Sequence, residues 1–206
     1  TEKTAIELKS ALAHMKKIGM KALVMDLRDN PGGLLTQSVR VTEMFIEKDQ
    51  LVVSTEGRNA AVQEKLFAES NMQFSLPMVI LVNGGSASAS EIVGGCLQDL
   101  KRADLVGTKT YGKGSVQSIL PQRDGSAIRL TTAKYFTPSH RIIHEKGIEP
   151  DYMVDMTPEQ ISDIMRQRSP LGLDDLSEED RIRIKGAKDL QLEKGLELLR
   201  TKLQKN

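Results

Sequence analysis

Apolar residues follow two patterns along this chain. Three short, nearly continuous runs, Ala22-Leu-Val-Met-Asp-Leu27, Val79-Ile-Leu-Val82 and Ala103-Asp-Leu-Val-Gly107, read as buried strands of a parallel sheet. Between them, apolar residues recur at helical spacing. Ile6, Leu8, Leu12, Met15 and Ile18 predict a first helix ended by Gly19, with Thr4 and Glu7 as its capping box. Val39, Val41, Met44 and Phe45 predict a second helix over about 36–47, and Ile92, Val93, Cys96, Leu97 and Leu100 a third that begins within a serine run. Two hairpins are predicted, one pairing 50–56 with 62–67 around Gly57-Arg58-Asn59 and one pairing 115–120 with 127–133 around Asp124-Gly125.

From Thr157 the pattern changes. Thr157-Pro158-Glu159 starts a helix with proline in its first turn, Ser169-Pro170-Leu-Gly-Leu-Asp-Asp175 reads as a loop, and a charged helix runs from 177 to about 203 on a stripe of Leu190, Leu196 and Leu199. The order of helix, strand, glycine-rich loop and helix specifies an α/β layered core with functional loops at strand C-terminal ends. The expected division is a core over 1–156 and a helical C-terminal extension over 157–206, packed on the outside.

Composition narrows the function classes. The net charge of +1 offers no electrostatic footprint for nucleic acid or an anionic membrane. Aromatic residues make up 3% of the 206 and tryptophan is absent, which argues against stacking platforms for single strands. The one cysteine, Cys96, lies on the apolar face of the third helix and reads as a buried, inert thiol. No apolar run reaches the length of a membrane span. The sequence starts at Thr1 without methionine, as a mature piece or fragment would.

Candidate chemistry gathers in Asn83-Gly-Gly-Ser-Ala-Ser-Ala-Ser-Glu91, between the second strand and the third helix. A serine at a helix N-terminus meets unpaired N–H groups and partial positive charge, which suit either a nucleophile beside an oxyanion site or a simple helix cap. Glu91, in the first turn, suits the helix dipole. Gly107-Thr-Lys-Thr-Tyr-Gly-Lys-Gly114 imitates a phosphate-binding loop, but position 114 is not Ser or Thr and the residues after it have strand character, so nucleotide binding is not expected. His14 sits among lysines, and His140 or His144 could serve a serine as base but lacks a clear third member. Neither has metal-ligand partners at a persuasive spacing.

Four motifs in order, Asp26-Leu-Arg-Asp-Asn-Pro-Gly-Gly33, Gly85-Ser-Ala-Ser-Ala-Ser-Glu91, Tyr111-Gly-Lys-Gly-Ser-Val-Gln117 and Gly147-Ile-Glu-Pro-Asp151, resemble the carboxyl-terminal processing proteases, the tail-specific Ser/Lys-dyad peptidases of family S41. The resemblance implies a crotonase-like or Clp-like α/β core with β-hairpin elaborations. It implies Ser88 as nucleophile, Lys113 as general base and Gln117 as the residue that positions the lysine. It also implies an oxyanion hole from Gly33 or Gly32 with the backbone N–H of Ala89. The expected partner is a protein or peptide with an apolar C-terminal tail, in the bacterial periplasm or cell envelope, with no cofactor, metal, nucleotide or nucleic acid; homo-oligomerisation is left open. A lysine acting as base must give up its charge, and the glycines flanking Lys113 are expected to let the loop tuck the amine inside. Relatives commonly carry a PDZ module before this core; the sequence opens at the helix before the Ala22 strand, so a core without that module is expected. Ser139-His140-Arg141 departs from the family pattern, where a glycine is frequent. The alternative is a catalytically silent interaction module of the same fold.

Overall fold

A computed structural model describes residues 1–169, 173 and 176–204. The first helix, α1 (Thr4–Lys17), forms where its apolar spacing places it, but not with the expected cap: the Thr4 hydroxyl donates to the carbonyl of Thr1. Strand β1 (Leu23–Asp26) follows, then α2 (Leu35–Thr42). This helix is shorter than the pattern predicts. The backbone turns at Phe45, whose N–H bonds Thr42, and Met44, Phe45 and Ile46 enter the core from that turn. Strands β2 (Leu51–Gly57) and β3 (Glu64–Phe67) make the first hairpin, with a short 3-10 turn at Ala60–Val62.

The second half of the core holds β4 (Met78–Val82), α3 (Ala89–Asp99), β5 (Asp104–Gly107), the long hairpin β6 (Ser115–Pro121) and β7 (Ala127–Phe136), and a two-residue strand, β8 (Tyr152–Met153). In the C-terminal segment, α4 (Pro158–Gln167) has the expected start: the Thr157 hydroxyl accepts the N–H of Gln160, and the Gln160 side chain accepts that of Thr157. The charged helix expected over 177–203 is instead two helices, α5 (Glu178–Lys185) and α6 (Leu190–Gln204). Gly186 ends the first, and Asp189 opens the second by accepting the N–H of Leu192. Most of the predicted 169–175 loop lies outside the described residues.

Two sheets result. One is parallel, in the order β1-β4-β5-β8; the other is antiparallel, in the order β3-β2-β7-β6. Alternation along β4 sorts its side chains to two faces. Met78, Ile80 and Val82 meet a large core that includes Leu12, Phe45, Ile92 and Leu97. Val79 and Leu81 meet Val106 and the α6 residue Leu199 on the other side. The C-terminal helix thus covers β4 and β5 on one face of the parallel sheet, with α4 over the end of β1, and completes an α/β/α layering.

Candidate active site

The loops leaving β1 and β4 emerge side by side, because the two strands are parallel neighbours. They are stitched together. The Ser86 hydroxyl donates to the carbonyl of Leu27 at 2.6 Å, the Ala87 N–H to that of Asn30 at 3.0 Å, and the Asn83 side chain accepts from Asp29 N–H while its amide donates to the Asp29 carboxylate. Ser86 and Ser90 are buried, whereas Ser88 between them is only half-buried, the one serine of the run that keeps contact with solvent.

Ser88 has φ 57° and ψ −118°. A side-chain-bearing residue there costs on the order of 1–3 kcal/mol and persists only where its surroundings impose it. The sharp turn from strand to helix has that effect here, and it projects Ser88 at the N-terminus of α3. Glu91, one turn on, is 1% exposed, and four donors converge on its carboxylate. Oε2 accepts the N–H of Ser88 at 2.8 Å and of Lys113 at 2.9 Å; Oε1 accepts the Thr110 hydroxyl at 2.5 Å and the N–H of Gly112 at 2.7 Å. One oxygen therefore ties the backbone of Ser88 to that of Lys113, and their nitrogens can be no farther apart than two hydrogen bonds end to end. The dipole reading of Glu91 missed this junction. The spacing of Ser88 and Glu91, which suits a capping box, was the signal available.

Gly32 and Gly33 are not equivalent. Gly32, at φ +88°, lies so close to the serine turn that a Cβ on it would sit 2.5 Å from the Ala87 carbonyl and 2.6 Å from the Ala89 nitrogen. Its own N–H is taken by the Asn30 side chain at 3.0 Å. Gly33 has open space around it. Among the described residues, no hydrogen bond engages the N–H of Gly33 or Ala89. Beside these amides opens a cavity of about 380 Å³ with an apolar lining from Leu8, Met25, Leu27, Val41 and Val93.

Lys113 departs from expectation. Its glycine neighbours do allow close packing, since a Cβ on Gly114 would run into Ile143 and His144. The packing buries backbone rather than side chain, however, and Lys113 is exposed. Among the described residues its amine makes no hydrogen bond or ion pair, to Ser88 or otherwise. Gln117, beside a bulge in the edge strand β6, is exposed as well. The segment after Gly114 is strand, as its composition suggested. His14 is exposed; His140 bonds Glu56 at 2.7 Å and stacks on Phe136, and His144 lies 3.6 Å from Glu145. Cys96 is buried, and burial pushes its thiol well above the ordinary range.

Residues of β1 and its loop alternate between two surroundings. Met25 and Leu27 face the apolar cavity, whereas Asp26 and Arg28 line a second cavity of about 310 Å³ beneath α4.

A family model described as peptidase family S41 matches residues 1–154. The carboxy-terminal-processing protease of Bartonella bacilliformis is 47% identical over 160 residues, covering 75% of this chain and 37% of that protein. The carboxy-terminal processing protease CtpA of Bacillus subtilis is 38% identical over 156 residues, covering 76% of this chain and 33% of the relative. Among solved structures, the photosystem II D1 C-terminal processing protease aligns with a TM-score of 0.70 at 34% identity, over 75% of this chain and 40% of its own. The chain thus spans about a third of the length of these curated relatives.

Proposed function

Because this chain belongs to peptidase family S41, we propose that it is the core of a serine peptidase that cuts protein chains near apolar C-terminal tails, with Ser88 as nucleophile and Lys113 as base. The observation that carries the proposal is the shared Glu91 oxygen, which fixes the backbone of both residues at one junction. Neutral Lys113 takes the proton as Ser88 Oγ attacks the scissile carbonyl. The N–H groups of Gly33 and Ala89 face the developing oxyanion; Gly32 is the close-packing residue, with its own amide already engaged. Lys113 then protonates the leaving amine, and water, deprotonated by the same lysine, releases the acyl group. A bound polypeptide covers the exposed amine and excludes water, which favours the neutral form. Gln117, four residues on, orients the lysine in that complex.

The apolar cavity beside Ala89 supports a preference for apolar side chains at the cleavage point. A setting in the bacterial periplasm or cell envelope is proposed on the resemblance alone. The silent-module reading has one observation in its favour, the absence of a Ser88–Lys113 hydrogen bond among the described residues.

An acylating probe directed at serine nucleophiles separates the two readings. It should label Ser88, identified by peptide mass spectrometry, and fail on Ser88→Ala. Lys113→Arg should be as unreactive as Lys113→Ala, because arginine keeps the charge but cannot accept a proton. An unlabelled wild type supports the silent module, and a reactive, folded Lys113→Arg removes Lys113 from the role of base.

A further inference from the structure

The guanidinium of Arg28 stands on the opposite side of β1 from the apolar cavity and uses all five of its N–H groups. Two go to Asp26, at 2.9 and 2.7 Å; two to Asp189, at 2.9 and 2.8 Å; the fifth goes to Gln191 at 3.1 Å. Arg168 adds a 2.6 Å bond to Asp189 and lies 3.6 Å from Asp26. The side chains of Arg28 and Asp189 are 11% and 9% exposed. Burial opposes charge on Asp189, but the hydrogen bonds and positive charge of Arg28, with Arg168, outweigh it and hold the carboxyl below its ordinary range.

The partners come from distant parts of the chain. Arg28 lies in the loop that leads to Gly32 and Gly33, whereas Asp189 and Gln191 open α6, beyond the family-matched residues 1–154. Gln191 is fastened in turn to the carbonyl of Val154 at 2.9 Å. Two arginines and two carboxylates balance in charge. Without Asp189, Asp26 is the one carboxylate left to Arg28 and Arg168, beside the neutral Gln191 on Arg28, and two like charges crowd it. Arg28 then keeps three of its five bonds, two to Asp26 and one to Gln191, and is less firmly held, with Asn30 and Gly32 close behind it in the chain. Asn30 holds Ala87, and Gly32 rests against Ala89.

We infer that Asp189 is a positioning residue for the proposed oxyanion donors: by clamping Arg28 from the C-terminal segment, it fixes the loop that aligns Gly33 with Ala89. The inference rests on the peptidase reading for its catalytic consequence but not for the clamp.

Asp189→Asn in the full chain keeps one oxygen to cap Leu192, because asparagine caps a helix as well as aspartate does, while it removes the charge and turns the second acceptor oxygen into an NH2 donor that cannot accept from Arg28 or Arg168. It should lower kcat by about 10- to 100-fold, the scale of a small misplacement of reacting groups, with KM within about twofold. The control is Asp163→Asn, which weakens the Asp163–Arg183 pair between α4 and α5; among the described residues that pair shares no partner with Arg28 or Asp189. It should lower Tm without changing kcat. Amide exchange at Ala87, whose N–H bonds Asn30, should accelerate in Asp189→Asn and not in the control. A folded Asp189→Asn enzyme with kcat within twofold of wild type overturns the inference, and so does an equal loss of kcat in Asp163→Asn. If wild type itself fails to turn over, the peptidase reading is at fault. The exchange rate at Ala87 then decides the clamp alone, and an unchanged rate overturns it.

Discussion

The two sheets of this molecule hold their residues by different means. The parallel sheet is closed between helical layers, and every residue of β4 is buried. The far end of the β6–β7 hairpin stands in solvent, with Ile119, Leu120, Ile128 and Leu130 exposed. The candidate site lies at the seam. Ser88, Gly32, Gly33 and Ala89 belong to loops of the closed sheet, fastened by multiple hydrogen bonds. Lys113, on the approach to the open sheet, and Gln117, within its strand β6, have backbones that are held as well, through Glu91, Glu145, Tyr135 and the β7 pairing, but their side chains are exposed. The difference separates two catalytic requirements. Oxyanion donors work by being fixed before the reaction begins. In the proposed mechanism the side chain of the base, exposed here, is enclosed only when substrate covers it.

The largest expected contrast is in stability. Ile80→Ala should cost about 2–5 kcal/mol, as buried large-to-small changes do. Leu130→Ala should stay within about 0.5 kcal/mol, as surface changes do. Denaturant titration of both variants measures this. A Leu130 cost equal to that of Ile80 would mean that the hairpin is covered in solution, by a second copy or another partner, and would break the comparison.

A smaller contrast tests the rigidity of the fastened loops. Gly32→Ala should lower kcat on the order of 100-fold, because its Cβ must displace the Ala87–Ala89 backbone. Gly33→Ala keeps its amide and meets nothing within 4 Å, so kcat should remain within about threefold. Single-turnover cleavage of one peptide by both variants decides it; equal losses would mean that the two glycines share one role.

The smallest effect is on the acid side. Asp189 has a folded pKa below its ordinary value. Near pH 4 the unfolded chain therefore binds more protons than the folded one, and stability rises with pH across that window. The contribution is complete above the unfolded value of about 3.9 and is lost as pH falls through the folded value. Melting temperatures between pH 6 and pH 2 should fall less steeply for Asp189→Asn than for wild type. Superimposable acid limbs would remove Asp189 from the stabilising set.

Local order was legible in the sequence. The apolar runs found their strands, Asp124-Gly125 its hairpin and Thr157 its cap, because each depends on neighbours a few residues away. The four motifs named the family that the comparisons show. What escaped depends on distance or competition. Thr4 had a rival partner in Thr1 and did not form the expected box. Gly186 and Asp189 divide a helix that the leucine stripe alone would run straight through. The flanking glycines of Lys113 signal close backbone packing but cannot say whether the side chain is covered. Asp189 meets Arg28 across 161 positions, and no short pattern records that meeting.

The alternation of Met25 and Leu27 with Asp26 and Arg28 has a consequence for how this protein can evolve. Substitutions here can be tried one at a time, but insertions and deletions cannot. Adding or losing one residue would exchange the two series, turning charges into the apolar cavity and methionine and leucine into the ion cluster. A longer distal hairpin loop should leave both cavities as they are, whereas one residue added before Met25 or within 25–28 should disturb both at once.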